Sequence, residues 1–186
     1  MRSFTIILVT GAPGTGKTTL ARKISGRFNL PLISRDDIKS VLLDSLGWGD
    51  RQWSKKVGQL SYRLMDYAVE TQLESKNSFI VESAFDPKYE NVKFKKWYKK
   101  YGGSYIQVFC HAEKEILLER WLSRAATDGS HPSHKEGKEG LEDLKNGLAR
   151  GAYDQLKLDA ALIRVETSDF SKINEAQIME QINGYL

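Results

Sequence analysis

Residues 11–18 read GAPGTGKT and match the phosphate-binding pattern G-x-x-x-x-G-K-[ST] at every fixed position. An apolar, β-branched run precedes this segment at residues 4–10, and a helical pattern begins at its end. A strand, a glycine-rich turn and a helix N-terminus in this order aim backbone N–H groups and the helix dipole at a phosphate. The chain is therefore expected to form a phosphate-binding loop within an α/β fold.

Each residue type in this loop has a physical reason to be there. Glycine lets the backbone curl around an anion, Lys17 supplies a point charge to the β- and γ-phosphates, and the Thr18 hydroxyl can ligate Mg²⁺. A glycine-rich turn without a ligand is the alternative, and the combined match of pattern and context argues against it. The predicted nucleotide-binding residues are Gly11, Ala12, Pro13, Gly14, Thr15, Gly16, Lys17, Thr18 and Thr19.

Apolar runs typical of buried strands alternate with helical patterns along the whole chain. The five predicted strands cover residues 4–10, 30–34, 79–83, 105–110 and 161–167. The predicted helices cover residues 18–28, 37–46, 54–75, 88–101, 113–126, 140–151 and 171–185. This alternation predicts one α/β domain over residues 1–186, with an open, five-stranded parallel sheet and helices on both faces.

The composition excludes several classes of protein. A length of 186 residues with 40% hydrophobic residues fits one folded domain and excludes a disordered chain. The single cysteine, Cys110, excludes a disulfide framework and suits a reducing compartment, and no apolar run is long enough to span a membrane. We therefore expect a cytoplasmic protein without a membrane partner. The net charge of +4 is compatible with a phosphate-bearing ligand but is too small to indicate nucleic acid.

Acidic residues follow the second and third predicted strands, whose carboxyl ends should face the ligand crevice. Asp36 and Asp37 are adjacent, so one carboxylate can accept the proton of an attacking hydroxyl while the other caps the next helix. We interpret Asp36 as the base and Asp37 as the cap. Glu82 reaches the same rim, where it either holds a magnesium-bound water or an acceptor hydroxyl, or pairs structurally with Lys17 or Arg35.

Two arginines precede a polar, glycine-rich segment at residues 127–140 that contains no apolar side chain apart from proline. Loops of this length in compact domains are usually functional lids or disordered segments. Arg120 and Arg124 lie on one helix face and would neutralise a transferring phosphoryl group as a lid closes, although a surface pair bridging to glutamates is the alternative. His131 and His134 in this loop make a poor metal motif, and no role is assigned to them.

The segments GAPGTGKT, ISRDDIK, IVESAF and ERWLSR together resemble the small P-loop kinases. The most similar group includes the kinase domain of bacteriophage polynucleotide kinase, the zeta toxins and chloramphenicol phosphotransferase. The resemblance implies a three-layer P-loop domain whose five parallel strands have the order 2-3-1-4-5. It also implies that Asp36 is the catalytic base and that Arg120 and Arg124 are the lid-side arginines. Lys39 stands where the polynucleotide kinases usually have arginine, and Glu82 stands where aspartate is common. Both departures lie on the acceptor side.

The expected function is an ATP- and Mg²⁺-dependent kinase that phosphorylates a hydroxyl of a small molecule or nucleotide. The acceptor is expected between the second-strand rim and residues 47–53, near Asp36, Lys39, Arg51 and Glu82, with Trp48 and Trp53 as further contacts. The alternatives are a polynucleotide 5′-hydroxyl kinase and a nucleotide-binding switch without transferase activity. Only the lysine-rich residues 88–100 favour a polynucleotide acceptor, and a solvated helix face explains these lysines better. The oligomeric state is left open.

Overall fold

The computed structural model describes residues 4–126 and 137–186. The strands are β1 (Thr5–Thr10), β2 (Leu32–Ser34), β3 (Phe79–Ser83), β4 (Ser104–His111) and β5 (Ala161–Glu166). The helices are α1 (Lys17–Phe28), α2 (Arg35–Leu46), α3 (Arg51–Glu74), α4 (Pro87–Tyr101), α5 (Lys114–Ala126), α6 (Gly137–Ala149) and α7 (Glu175–Asn183), with a 3₁₀ helix at Phe170–Lys172.

The five strands form one parallel sheet in the order β2-β3-β1-β4-β5, which confirms the predicted fold. β1 lies at the centre, and its last residue, Thr10, is in register with Ser83 of β3 and Phe109 of β4. Since all strands run in the same direction, their carboxyl ends lie along one edge of the sheet. This edge carries the loops that follow β1 and β3 and the first turn of α2, which begins directly after β2.

The core has two apolar layers because alternate residues of each strand point to opposite faces of the sheet. Ile6 and Leu8 of β1 pack with the helices α3 and α4, whereas Ile7 and Val9 pack with α1 and α7. All four side chains are almost completely buried. The central strand is therefore held from both sides, and the loop that follows it starts from a rigid position.

Several helices begin elsewhere than the sequence patterns predicted, because capping residues determine their starts. α2 begins at Arg35 rather than at residue 37, since the Ser34 side chain accepts a hydrogen bond from the Asp37 N–H. α3 begins at Arg51, where the Asp50 carboxylate caps the first turn. The predicted last helix is divided into the 3₁₀ turn and α7, whose N-cap is Asn174.

The predicted loop over residues 127–140 is only partly described. Its last four residues belong to α6, which begins at Gly137. Residues 127–136, and with them His131 and His134, lie outside the described part of the chain, so the lid stays a prediction. Among the described residues, no helix is both long and apolar enough to cross a membrane.

Candidate active site

The phosphate-binding loop connects the end of β1 with the first residue of α1. Within it, the Thr15 hydroxyl and the Thr15 N–H both donate to the Ala12 carbonyl, which closes the turn. Ser34, Asp50, Asp86 and Asn174 cap four other helices with their side chains. In the described part of the chain no side chain caps α1, whose N-cap is Gly16. Its first N–H groups are therefore left for a ligand, as in an anion site.

Three glycines of the loop have a positive φ that other residues rarely adopt: Gly11, Gly14 and Gly16. A Cβ on Gly11 would lie 2.1 Å from the Cys110 carbonyl oxygen, so the end of β4 leaves no room for a side chain. A Cβ on Gly16 would lie 2.9 Å from the Phe170 ring. The loop is thus pressed closely against neighbouring elements, and only glycine fits these positions.

Glu82 lies completely buried at the end of β3 and joins the loop to the rim of the sheet. Its carboxylate accepts hydrogen bonds from the hydroxyls of Thr18, at 3.2 Å, and Ser34, at 2.8 Å. The Lys17 ammonium lies 3.7 Å from the same carboxylate. The structure therefore contains the pairing with Lys17 that was one of the two sequence interpretations of Glu82.

Burial raises the pKa of Glu82, while Lys17 and the two hydroxyls oppose the shift. Asp36 contributes to the increase, which means that these two carboxylates are close enough to repel each other. Burial also raises the pKa of the Cys110 thiol to about 12. Cys110 is therefore a protonated residue of the core beneath the loop, in agreement with its position in an apolar strand.

Asp36 and Asp37 occupy the first turn of α2 at the carboxyl edge of the sheet. The Asp36 carboxylate accepts a hydrogen bond from Arg35 at 2.8 Å and lines the cavity described below. The prediction that Asp37 caps the helix was wrong, because Ser34 already occupies the N-cap position. The Asp37 carboxylate instead pairs with Arg22 at 2.8 Å in an exposed ion pair.

Arg120 and Arg124 follow one face of α5 but have different surroundings. The Arg120 guanidinium donates to the carbonyls of Gly14, Thr167 and Ser168 and lies 3.8 Å from the centroid of the Phe170 ring. Arg120 thus holds the phosphate loop against the segment after β5. Loss of solvation lowers the pKa of Arg124, and the charge of Asp36 opposes the shift. Arg124 therefore interacts with the rim where Asp36 lies.

A cavity of about 930 Å³ opens between the phosphate loop and the helices α2, α3, α5 and α6. It brings together every predicted catalytic side chain: Lys17, Asp36, Arg120 and Arg124. Lys39 and Arg51 also line it, whereas Glu82 lies behind Thr18. Neither Trp48 nor Trp53 is among the described residues that line this cavity, and the Trp53 indole donates to the Gly47 carbonyl.

Sequence reasoning missed two residues of the site. Ser34 donates to Glu82 and caps α2, and its only signal was its place directly before the helix. Phe170 covers Gly16 and stacks on Arg120. No local pattern identifies Phe170, because the sheet brings it to the loop from the other end of the chain.

The site suits a magnesium nucleotide rather than a metal held by the protein alone. In the described residues there is no group of three or more His, Cys, Asp or Glu side chains that could hold a metal ion. Mg²⁺ in such sites is bound mostly by phosphates and water, with one or two protein oxygens. The Thr18 hydroxyl provides an oxygen ligand of this kind beside the glycine cradle, and the Glu82 carboxylate lies directly behind it.

A glycine-rich phosphate loop at the carboxyl edge of a parallel sheet ordered 2-3-1-4-5 defines the P-loop kinase fold. A family model described as an AAA domain matches residues 6–145, which is most of the chain, and the chain belongs to this family. No curated protein matches the chain at a significant level.

Solved structures with the same fold include several kinases. A candidate kinase from Chloroflexus aurantiacus J-10-fl is 33% identical, with a TM-score of 0.87 and full coverage of both chains. A sugar kinase from Janibacter sp. HTCC2649 is 16% identical, with a TM-score of 0.60 and coverage of 99% of this chain and 94% of its own. A gluconokinase from Sinorhizobium meliloti 1021 is also 16% identical, with a TM-score of 0.53 and coverage of 98% and 97%.

These matches confirm the expected resemblance to P-loop kinases at the level of the family. The finer resemblance to polynucleotide kinase, zeta toxins and chloramphenicol phosphotransferase stays a prediction. The two neighbours at 16% identity show the fold alone. The substrate must therefore be argued from the residues of this site.

Proposed function

We propose that this protein transfers the γ-phosphoryl group of ATP, with Mg²⁺, to a hydroxyl group of a small acceptor molecule. One observation carries this proposal: the phosphate loop and the Asp36 carboxylate line the same cavity at the carboxyl edge of the sheet. A phosphoryl transferase needs both a phosphate cradle and a nearby proton acceptor for the attacking hydroxyl.

The loop and the first turn of α1 bind the phosphates of the donor. Backbone N–H groups from Gly11 onward surround the β-phosphate, and Lys17 reaches the β- and γ-phosphates. Glu82 holds both Lys17 and the Thr18 hydroxyl from behind, so these two groups are oriented before a nucleotide arrives. Such preorganisation reduces the reorganisation that phosphate binding would otherwise require.

When bound, Mg²⁺ would neutralise charge on the β- and γ-phosphates, and Thr18 is the residue that would hold it. Glu82 would accept a hydrogen bond from its coordinated water. The other residues act on the substrates. Asp36 accepts the proton from the attacking hydroxyl, while Arg35 keeps its carboxylate oriented.

Arg124 is proposed to stabilise the charge on the transferring phosphoryl group, since the Arg124 guanidinium interacts with the charge of Asp36. Arg120 has the same predicted role. Its contacts with Gly14 and with the carbonyls after β5 support an additional task, namely holding the loop in shape. A lid formed by the segment before α6 would exclude water during transfer.

A small acceptor fits the site better than a polynucleotide. The lysine-rich helix α4 buries Phe94 and Trp97 in the core, and Lys93 pairs with Asp66 and Glu90. Two of its aromatic residues are thus part of the core, as a helix packed on the sheet requires, although Tyr89 and Tyr98 are exposed. A polynucleotide acceptor and a switch without transferase activity are the alternatives that the experiment below distinguishes.

The test is ATP consumption with Mg²⁺ across a panel of hydroxyl compounds: sugars, sugar acids, nucleosides, amino-sugar nucleotides, antibiotics and oligonucleotides. Consumption that depends on one class of small acceptor supports the proposal and identifies that class. Stimulation by oligonucleotides alone, falling steeply with salt, would support the polynucleotide kinase instead. Tight nucleotide binding without stimulated turnover would support the switch.

A further inference from the structure

A glycine lies at an unusual place beside the candidate active site. Gly58 is buried within α3, a helix of 24 residues, and lines the cavity. Glycine inside a helix is less favourable than alanine, because it loses more backbone entropy on folding. Gly58 is not one of the described glycines with a positive φ, so its backbone does not require glycine. The reason for a glycine here is therefore sought in its neighbours.

The neighbour that needs the space is Arg35 of α2. A Cβ on Gly58 would lie 3.0 Å from the Arg35 Nη2 atom, and beyond the adjacent backbone of α3 no other described atom would be within 4 Å of it. Non-bonded carbon atoms are normally about 3.5–4.0 Å apart, so a methyl group would push the guanidinium aside. The missing side chain thus lets Arg35 lie directly against α3.

Tyr62 supports the same guanidinium from the next turn of α3. It follows Gly58 by four residues, so both lie on one face of the helix. The Arg35 Cζ atom is 4.8 Å from the centroid of the Tyr62 ring, a distance at which a cation is attracted to the ring. The Tyr62 hydroxyl donates to the Ala84 carbonyl and accepts from the Ser83 hydroxyl, both at 3.4 Å. The ring is therefore linked to the carboxyl end of β3.

The guanidinium held in this way is the one that contacts the proposed base. Arg35 Nη1 donates to the Asp36 carboxylate at 2.8 Å, and both side chains are partly exposed. A partly exposed ion pair between two mobile side chains does not by itself fix their geometry. The Arg35 Nε atom is buried and has no hydrogen-bond partner among the described residues. Gly58 and Tyr62 therefore supply the contacts that determine where the guanidinium lies.

We propose that Gly58 and Tyr62 are positioning residues, which hold the Arg35 guanidinium so that Arg35 aims the Asp36 carboxylate at the attacking hydroxyl. This inference rests on the proposed function, in which Asp36 is the base. A base has to be within hydrogen-bond reach of the proton that it accepts. A displacement of about 1 Å can lower a rate by roughly a hundredfold. Both residues should therefore affect the rate through Arg35.

Side-chain NMR tests the position of Arg35 without any turnover. In ¹⁵N-labelled protein, the arginine Hε–Nε signal that disappears in Arg35→Lys belongs to Arg35. A ring shifts a proton over its face upfield, so this signal should lie upfield and should move downfield in Gly58→Ala and Tyr62→Leu. The control Gly26→Ala adds the same methyl group in an open part of α1 and should leave the signal unchanged. An unchanged signal in Gly58→Ala would overturn the inference.

Steady-state kinetics with the best acceptor of the panel test the effect on the reaction. Gly58→Ala should lower kcat about tenfold and change the KM for ATP little, because the phosphate loop is not altered. Tyr62→Leu should act similarly, and Tyr62→Phe, which keeps the ring, should recover most of the lost activity. Gly26→Ala again serves as control. Unchanged kcat in either Gly58→Ala or Tyr62→Leu, whatever happens to the melting temperature, would overturn the inference.

Double variants separate positioning from general packing. If Gly58 and Tyr62 act through Arg35, then Gly58→Ala and Tyr62→Leu should lower kcat no further once Arg35→Met has removed the guanidinium. Effects that multiply with that of Arg35→Met would show another route and overturn the inference, while the kinase activity of the wild-type protein would leave the proposed function intact. A wild-type protein that phosphorylates no acceptor would overturn the proposed function, and the inference with it.

Discussion

Asp36 and Asp37 are adjacent in the sequence but have different surroundings in the first turn of α2. The Asp36 carboxylate is held by Arg35 and lies close enough to influence Glu82 and Arg124. The Asp37 carboxylate forms an exposed ion pair with Arg22. This difference gives a matched pair of positions for testing the base, since both carry the same charge on the same turn.

Replacing Asp36 should abolish most turnover without preventing nucleotide binding. Asp36→Asn removes the proton acceptor but leaves the phosphate loop unchanged, so kcat should fall roughly 10²–10⁴-fold. Asp37→Asn serves as control, because the Asp37 carboxylate forms an exposed ion pair with Arg22. Losing such a pair changes stability by only ~0–1 kcal/mol, so kcat should change little. Steady-state kinetics and nucleotide titration measure both effects. Unchanged kcat in Asp36→Asn would remove this residue from the role of base.

Glu82 gives a prediction for stability against pH. Burial raises its pKa in the folded protein, so the folded state binds a proton more tightly than the unfolded chain does. Its contribution to stability is therefore complete below the ordinary value of 4.5 and is lost as the pH rises through the raised pKa.

Glu82→Gln removes this titration. The free energy of unfolding of the wild-type protein, relative to that of Glu82→Gln, should therefore decrease as the pH rises from about 4.5. Urea unfolding at a series of pH values measures the difference. A difference that increases with pH would show that Lys17 and the two hydroxyls outweigh the cost of burial.

At the scale of elements, the phosphate loop depends on contacts from distant parts of the chain. Gly16 is in contact with Phe170, and Gly14 is bound through its carbonyl by Arg120 of α5. The loop sequence was sufficient to predict the element and its ligand. It contained no information about these supports, because they reach the loop only through the order of the strands.

Two glycine substitutions in and next to α1 should have opposite effects. Gly16→Ala forces a side chain into a positive φ and toward Phe170, so it should lower the free energy of unfolding by about 1 kcal/mol or more and weaken nucleotide binding. Gly26 has a helical backbone and open space, so Gly26→Ala should raise the free energy of unfolding by roughly 0.5–1 kcal/mol. Thermal or urea unfolding compares them. Equal effects would contradict the close packing at Gly16.

Substitutions of the two arginines of α5 should affect different quantities: stability and KM for Arg120, and kcat for Arg124. Arg120→Met removes hydrogen bonds to Gly14 and to the carbonyls after β5, so it should lower stability by about 1.5–3 kcal/mol and raise the KM for ATP. Arg124→Met should mainly lower kcat, by roughly a hundredfold or more. If Arg124→Met left kcat unchanged while Arg120→Met lowered it, the two assignments would be reversed.

At the scale of the whole molecule, the strand order explains how much could be predicted from the sequence. The apolar runs predicted five parallel strands, the resemblance to the P-loop kinases implied their order, and the structure confirms both. Helix starts were missed by a few residues at α2, α3 and α7, because capping by Ser34, Asp50 and Asn174 was not considered.

The sequence predicted most residues of the candidate site, but not all of those that line the cavity. The loop and Asp36 were expected on one rim and Arg124 beside a closing lid, and the cavity brings the three together. Lys39 and Arg51 were expected near the acceptor and line the same cavity, whereas Lys55 was not considered, because α2 and α3 meet only in the fold. Trp48 and Trp53 were expected at the acceptor, yet Trp53 is turned toward the Gly47 carbonyl.

The central claim is transfer of a phosphoryl group to a hydroxyl rather than to water. The most direct measurement incubates the protein with Mg²⁺, γ-³²P-labelled ATP and each member of the acceptor panel, and separates labelled product from labelled inorganic phosphate. The account predicts label in a phosphoester that appears only with an acceptor and is lost in Asp36→Asn. Label released only as inorganic phosphate, at the same rate with and without every acceptor, would contradict it.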